Sequence, residues 1–277
     1  MPLNFDLGGK TYDPLTYDVT AEAIARYATA SGDHNPRYQV GPGQVASPLF
    51  PVVPGFPVMG QVSSDPELDL ENPLMIVHGE QELVYHRPLE PGTQLVLRPR
   101  LDSVEDKGRS ATYVVVLDAV TIDGEPVNTQ RATVFVRGAG SGAERTSTSS
   151  TGEPDRGELV GTFSRHVSTD MPSAYAAASG DHNPIHLDEA IAKAVGLPGV
   201  INHGLGTLSL VAGGLVDEVL GGDPSGLRRL SVRFTDMVFP GSDVVTSMWS
   251  TTAGRAFETA RPDGAVVMRG AIEVGQA

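Results

Sequence analysis

Two segments 148 positions apart, Tyr27-Ala-Thr-Ala-Ser-Gly-Asp-His-Asn-Pro-Arg-Tyr38 and Tyr175-Ala-Ala-Ala-Ser-Gly-Asp-His-Asn-Pro-Ile-His186, are identical at nine of twelve positions. A match of this length, rich in Gly, Asp, Asn and Pro, marks an internal duplication, and a duplicated chain folds as two copies of one unit. Each copy would hold about 120 to 140 residues, a common domain size. The tract Gly138 to Gly157, reading GAGSGAERTSTSSTGEPDRG, has too little apolar side chain to fold and reads as a connector. The expected division is therefore 1–137, a linker at 138–158, and 159–277.

Both copies run in the same order: a helical opening, the Ser-Gly-Asp-His-Asn-Pro turn, an apolar central segment, then a block of strands. Ala21 to Ala30 and Ser173 to Ala178 are Ala-rich and run into glycine, as helices do at their C-termini. His203 to Leu220 is apolar on nearly every side, the pattern of a helix wrapped by other structure. In Leu230-Ser-Val-Arg-Phe-Thr235 the apolar residues fall on one face and Ser231, Arg233 and Thr235 on the other. Further strands are expected at Val244 to Ser250, Ala256 to Ala260 and Ala265 to Val274. The first half echoes them at Met75 to Tyr85, Leu95 to Leu101, Ala111 to Val120 and Thr129 to Val136. Strands after one long buried helix imply an antiparallel sheet curled around it, so the expected class is α+β, with the two copies paired side by side.

Charge and composition narrow the function. With 20 Lys and Arg against 34 Asp and Glu, the net charge of −14 argues against a protein built to grip nucleic acid. The lack of cysteine excludes disulfides, thiolate nucleophiles, thiolate zinc sites and iron–sulfur clusters, which suits a cytoplasmic protein. Met1 to Asp6 carries no secretory pattern. Ala194 to Val216 lacks formal charge, but Pro198, Asn202, His203 and several glycines interrupt it, so no membrane span is expected.

The chemistry-bearing residues lie in the second copy. Asp181-His182-Asn183-Pro184-Ile185-His186 places a carboxylate and an imidazole five residues apart on a turn that Asn-Pro keeps from continuing as helix. Folded toward one another, the two can hold a water between an acceptor and a titratable group, the minimum for acid–base work near neutral pH. A plain turn is the alternative, since Asp and Asn bond their own backbone. The first copy favours the catalytic reading: it keeps Asp33, Asn35 and Pro36 but has Arg37-Tyr38 in place of Ile185-His186. His34 and His182 occupy matching positions and read as structural. Asn202-His203-Gly204 opens the buried helix, where unpaired N–H groups and the helix dipole could receive a carbonyl oxygen that gains charge; a simple crowded helix start is the other reading.

These residues match a known family. Ser179-Gly-Asp-His-Asn-Pro-Ile-His186 with Ala192, followed by Asn202-His203-Gly204, resembles the hydratase motif of the MaoC-like, (R)-specific enoyl-CoA hydratases. Arg233-Phe234 with Val238-Phe239-Pro240-Gly241 resembles that family's next strand. His78-Gly79-Glu80-Gln81 and Tyr85-His86-Arg87-Pro88-Leu89 resemble the N-terminal halves of its larger, double hotdog members.

The resemblance implies a degenerate first hotdog and a catalytic second one, and a lyase that reversibly hydrates trans-2-enoyl-CoA to the (3R)-3-hydroxyacyl thioester. Asp181 and His186 would hold the water and share the proton transfers, Asn183 would support the turn, and the Gly204 amide would polarise the thioester carbonyl. No metal and no redox cofactor is implied. His203 and Arg233 would contact the substrate, with Arg228 and Arg229 as further cations for CoA phosphates or as plain surface arginines. Against His203-Gly204 the first half reads Pro51-Val-Val-Pro-Gly-Phe-Pro57, and three prolines should break or shorten its central helix, leaving a pocket for the acyl tail beside Gly55 and Phe56. Three alternatives stay open: a (3R)-hydroxyacyl-carrier-protein dehydratase, a non-catalytic acyl-binding scaffold and, as a minor reading, a thioesterase. A homodimer is a further expectation.

Overall fold

In the computed structural model, which describes residues 2–72, 75–143 and 156–275, ten strands form one antiparallel sheet. The first half supplies β1 (Leu15–Asp18), β2 (Ile76–Tyr85), β3 (Gln94–Asp106), β4 (Ser110–Thr121) and β5 (Pro126–Arg137). The second supplies β6 (Leu159–Val167), β7 (Leu227–Phe234), β8 (Ser242–Ser250), β9 (Gly254–Ala260) and β10 (Val266–Val274). Their order is β1-β3-β4-β5-β2-β7-β10-β9-β8-β6, so two five-stranded halves are zipped edge to edge where β2 pairs with β7, from Glu80 opposite Arg233 to Val84 opposite Arg229. The two expected sheets thus become one continuous surface. Most of the 138–158 connector, residues 144–155, lies outside the described residues.

The helices are α1 (Ala21–Ala30), α2 (Val52–Ser63), α3 (Met171–Ser179), α4 (Glu189–Ala194) and α5 (Gly204–Leu220). Thr20 caps α1 by accepting the Ala23 N–H at 3.1 Å. Helix α5 is buried at every position from Gly206 to Val216, which is why its sequence shows no polar face. It is 17 residues long, short of the about 20 apolar residues that a bilayer span takes, and among the described residues no helix is long and apolar enough to cross a membrane.

Helix α2 is where the proline argument needs correction. It is shortened to 12 residues, but it is not absent. Pro51 stands at its N-cap and Pro54 in its first turn, where a backbone N–H has no intrahelical acceptor, so neither proline costs a bond. Only Pro57 is interior, and it forfeits the bond to the Val53 carbonyl. The Gln130 amide donates to the Pro51 carbonyl at 2.8 Å, tying the start of α2 to β5.

Candidate active site

Helix α3 ends at Gly180, whose φ of +85° reverses the chain at low cost because glycine has no Cβ. Two Asx turns follow. Asp181 Oδ1 accepts the Asn183 N–H at 3.1 Å, and Asn183 Oδ1 accepts the Ile185 N–H at 3.3 Å. Pro184 then starts a single 3-10 turn ending at the buried His186. The first copy repeats the frame: Asp33 Oδ1 accepts from Asn35, and Asn35 Oδ1 from Arg37. The turn is structural in both copies; what differs is the side chain it delivers.

In the second copy it delivers His186 against His203, their ring centroids 3.8 Å apart and the planes inclined by 33°. A carboxylate oxygen of Asp181 and one nitrogen of each ring lie within 4.8 Å of one another. A carbonyl oxygen only accepts, so the 2.9 Å contact to the Ile201 carbonyl puts the proton of neutral His186 on Nδ1 and leaves the Nε2 lone pair free. Likewise His203 donates through Nε2 to the Asp181 carbonyl at 3.0 Å, leaving its buried Nδ1 without a partner. Burial lowers the pKa of His186, against the opposing pull of the Ile201 bond and the Asp181 charge. Burial, then the neighbouring His186, brings His203 down to about 4. Both rings are neutral at physiological pH. Among the described residues, Asp181, His186 and His203 form the group whose ligand atoms lie close enough together to hold a metal ion, and the same spacing can hold a water.

Gly204 begins α5, so its N–H is among the donors that no turn of the helix can use. A Cβ on it would meet the Phe234 ring at 3.3 Å. The missing side chain lets that ring close over the helix start.

A cavity of about 1010 Å³ joins these groups across the two halves. Asp181, Asn183, His186 and Gly204 line it from the second half. From the first come Gly55 and Phe56 on α2, with Val115, Leu117, Ala132 and Val134 on the inner faces of β4 and β5. Its deep end is buried and apolar; its rim, at Met75, Val77, Thr235 and Asp236, is exposed.

Not every expected site residue reaches the cavity. Arg233 is exposed and outside its lining, whereas its neighbour Phe234 is part of it. The alternation of β7 gives the reason, because Arg233 belongs to the polar, outward set. His203 is only 1% exposed and also stands behind the lining, packed between Tyr175 and His186. His182 is exposed at the cavity, and its counterpart His34 is exposed too. The sequence argument assigned no role to His78. It lines the cavity from β2, where a register shift between His78 and Glu80 interrupts the ladder, and its ring meets Phe234 edge-on at 5.4 Å. Its only signal was the His78-Gly79-Glu80-Gln81 segment.

The first-half counterpart of the site is filled. Asp33 is buried against α5, where a Cβ at Gly213 would come within 2.5 Å of its Oδ2, and Leu210 closes on Gly32. Tyr38 occupies the place of His186.

Comparison with known proteins matches the two halves to different family models. The MaoC like domain family matches residues 154–267, and the FAS1-like dehydratase domain region matches residues 6–130. The peroxisomal enoyl-CoA hydratase 2 of Arabidopsis thaliana is 33% identical over 73% of this chain and 70% of its own length. The 3-hydroxyacyl-thioester dehydratase Y of Mycobacterium tuberculosis is 30% identical over 96% of both. Among solved structures, a MaoC-like dehydratase from Phytophthora capsici superposes with a TM-score of 0.84 at 26% identity, covering 99% of this chain and 98% of that one. With its duplicated hotdog halves and one surviving Asp/His turn, the chain belongs to the MaoC-like enoyl-CoA hydratase 2 family.

Proposed function

We propose that the protein is a hydro-lyase that adds water reversibly to trans-2-enoyl-CoA, giving the (3R)-3-hydroxyacyl-CoA, with the water held between Asp181 and His186. The observation that carries this reading is the meeting of a carboxylate, a neutral imidazole with a free lone pair and the N-terminus of α5 on one wall of a cavity whose far end is apolar. The thioester carbonyl accepts from the Gly204 N–H, which stabilises the enolate-like oxyanion as hydroxide adds at C3. His186 Nε2 takes one proton from the water, Asp181 accepts a hydrogen bond from the other, and the proton held by the pair passes to C2. No net proton is gained or lost. Asn183 holds Asp181 in place, and His203, packed on His186 and bonded to the Asp181 carbonyl, fixes both. Neither a metal nor a redox cofactor enters these steps.

Residues 1–137 take the role of acyl-tail pocket and 159–277 that of catalytic unit, with 138–158 connecting them. One chain supplies both walls of the cavity, and a homodimer is a further expectation. A cysteine-free chain acting on acyl-CoA suits the reducing cytoplasm, the location we propose.

The test is purified protein with crotonyl-CoA, following loss of enoyl absorbance and coupling the product to stereospecific dehydrogenases. Signal with a (3R)-specific dehydrogenase and none with a (3S)-specific one is expected. A dominant (3S) product would remove the mechanism even if hydration were seen. The carrier-protein dehydratase runs the same equilibrium backwards with the same residues, and the intact pair argues against a non-catalytic scaffold.

A further inference from the structure

CoA brings several phosphate charges to a protein of net charge −14, and the cations first expected to meet them are placed elsewhere. Arg229 is held between Glu82 at 2.5 Å and Glu273 at 2.7 Å, Arg228 donates to the Ser225 and Leu227 carbonyls, and Arg233 stands outside the cavity. Among the lining residues there is one Lys or Arg: Arg137, the last residue of β5. It is exposed at the rim and enters no ion pair among the described residues. Met75, 37% exposed, precedes β2, and Val77, 38% exposed, lies on it, one position either side of Ile76, whose partner Val136 adjoins Arg137.

Resting on the hydratase reading, we infer that Arg137 anchors the phosphates of CoA at the cavity mouth, with the apolar Met75 and Val77 beside it to receive the adenosine end. The span fits. Thirteen bonds separate the thioester sulfur from the first phosphorus, a length comparable to a little over four residues of extended chain and so about 15 Å at full stretch. His78, whose ring meets the same Phe234 ring that lies against Gly204, is in register with Val134, three residues before Arg137 on the same strand. Three residues of strand cover about 10 Å, and the arginine arm makes up the remainder. The tail's opposite direction, toward Leu117 and Gln130, is buried and holds no cation.

The experiment compares crotonyl-CoA with crotonyl-pantetheine, which carries the same reacting group without phosphates, in wild type, Arg137→Ala, Arg137→Lys and Arg109→Ala. Arg109 is exposed and outside the cavity lining, so its loss controls for net charge. Arg137→Ala should raise KM for crotonyl-CoA about 5- to 10-fold with little change in kcat, the cost of an exposed charge-assisted contact. The CoA-to-pantetheine ratio of kcat/KM should fall by the same factor, Arg137→Lys should recover most of it, and Arg109→Ala should leave the ratio alone. Added salt should raise the wild-type KM for the CoA substrate more steeply than that of Arg137→Ala. Equal losses on both substrates, or an unchanged ratio, would overturn the assignment. Isothermal titration with CoA and pantetheine keeps the question separate from catalysis: a wild type that hydrates nothing refutes the hydratase reading, while the Arg137 contact is still judged by the CoA affinity of Arg137→Ala.

Discussion

The hydroxyls of Tyr27 and Tyr175, equivalent residues of the two copies, lie 3.2 Å apart in the protein interior, with their ring centroids separated by 5.6 Å. The strand order of the second copy is the reverse of the first about the antiparallel β2–β7 seam, so the copies are related by an internal twofold, and the tyrosine contact places it between α1 and α3. The Asp-His-Asn-Pro turn of each copy follows its own tyrosine and faces the other copy's central helix. Gly180 approaches Phe56 on α2, and Gly32 approaches Leu210 on α5. One open site follows from this exchange. The intact α5 fills the space beside Asp33, and the shortened α2 leaves the cavity beside Asp181 open.

Symmetry is broken at the axis, and that sets a stability prediction. Tyr27 bonds Ser209 Oγ at 2.7 Å and Tyr175 at 3.2 Å, so it holds the shorter of the contacts around the pair. Tyr27→Phe should therefore cost about 1–2 kcal/mol and Tyr175→Phe about 1 kcal/mol or less, measured by urea unfolding. A larger loss for Tyr175→Phe would contradict this network.

Asp181→Asn and His186→Ala should each remove most hydration activity without changing the fold, since both side chains leave a turn framed by Asn183 and Pro184. Asp33→Asn should keep turnover and change the pH dependence of stability instead. Burial pushes the Asp33 pKa up to about 6 from 3.8. A carboxyl whose folded pKa is raised contributes stability that is present below pH 4 and lost as pH rises through about 6. Asp33→Asn should thus be more stable than wild type at pH 8, by up to about 2–3 kcal/mol, and the difference should vanish toward pH 4. Melting curves of both proteins across that range decide it; a fall in turnover matching that of Asp181→Asn would sink the asymmetric-site reading.

Much of this arrangement is legible in the sequence because it is local. The repeat, the Asn-Pro turn and the alternating strands each announce themselves within ten or twelve residues, and α1 spans Ala21–Ala30 as expected. Strands β1 and β6 do not. They are the sheet's two outer edges, β1 has four residues, and β6 buries only Phe163 and Val167, so neither shows a clear apolar face. The burial of α5 is visible in its all-apolar run, but the placement of His78 and Phe234 beside Gly204 depends on the β2–β7 seam, a contact between residues some 150 positions apart. Arg233 shows a reading that alternation alone could have corrected: a residue on the outward face of β7 does not meet a substrate held within.

The depressed pKa of His186 fixes the acid side of the rate profile. Hydration needs His186 neutral to receive the proton, and burial holds its pKa below the ordinary 6.5. kcat/KM should therefore stay level as pH falls from 8 past 6.5 and decline only below that point, with unit slope. An acid limb centred above pH 7 would mean that His186 is stabilised as a cation and does not act as the base.

The tail pocket makes the last prediction, and the geometry determines where to intrude on it. Gly55 is the wrong place, because a Cβ there already meets Leu117 Cδ2 and Gln130 Oε1 at 3.2 Å, and any larger group would push α2 away from β4 and β5. Ala132 is better: it is buried on the inner face of β5 with its methyl toward the cavity, so added atoms enter empty volume. If the acyl tail lies along this wall, each buried methylene favours binding by up to about 0.8 kcal/mol until the pocket is full. Wild type should then prefer a twelve-carbon enoyl-CoA to crotonyl-CoA. Ala132→Phe occupies the room of at least two methylenes, so it should lower kcat/KM for the twelve-carbon substrate about tenfold or more while crotonyl-CoA turnover survives. Equal losses for both chain lengths would place the tail elsewhere, and no wild-type preference for the longer chain would mean that Phe56 closes the pocket and the enzyme serves short chains.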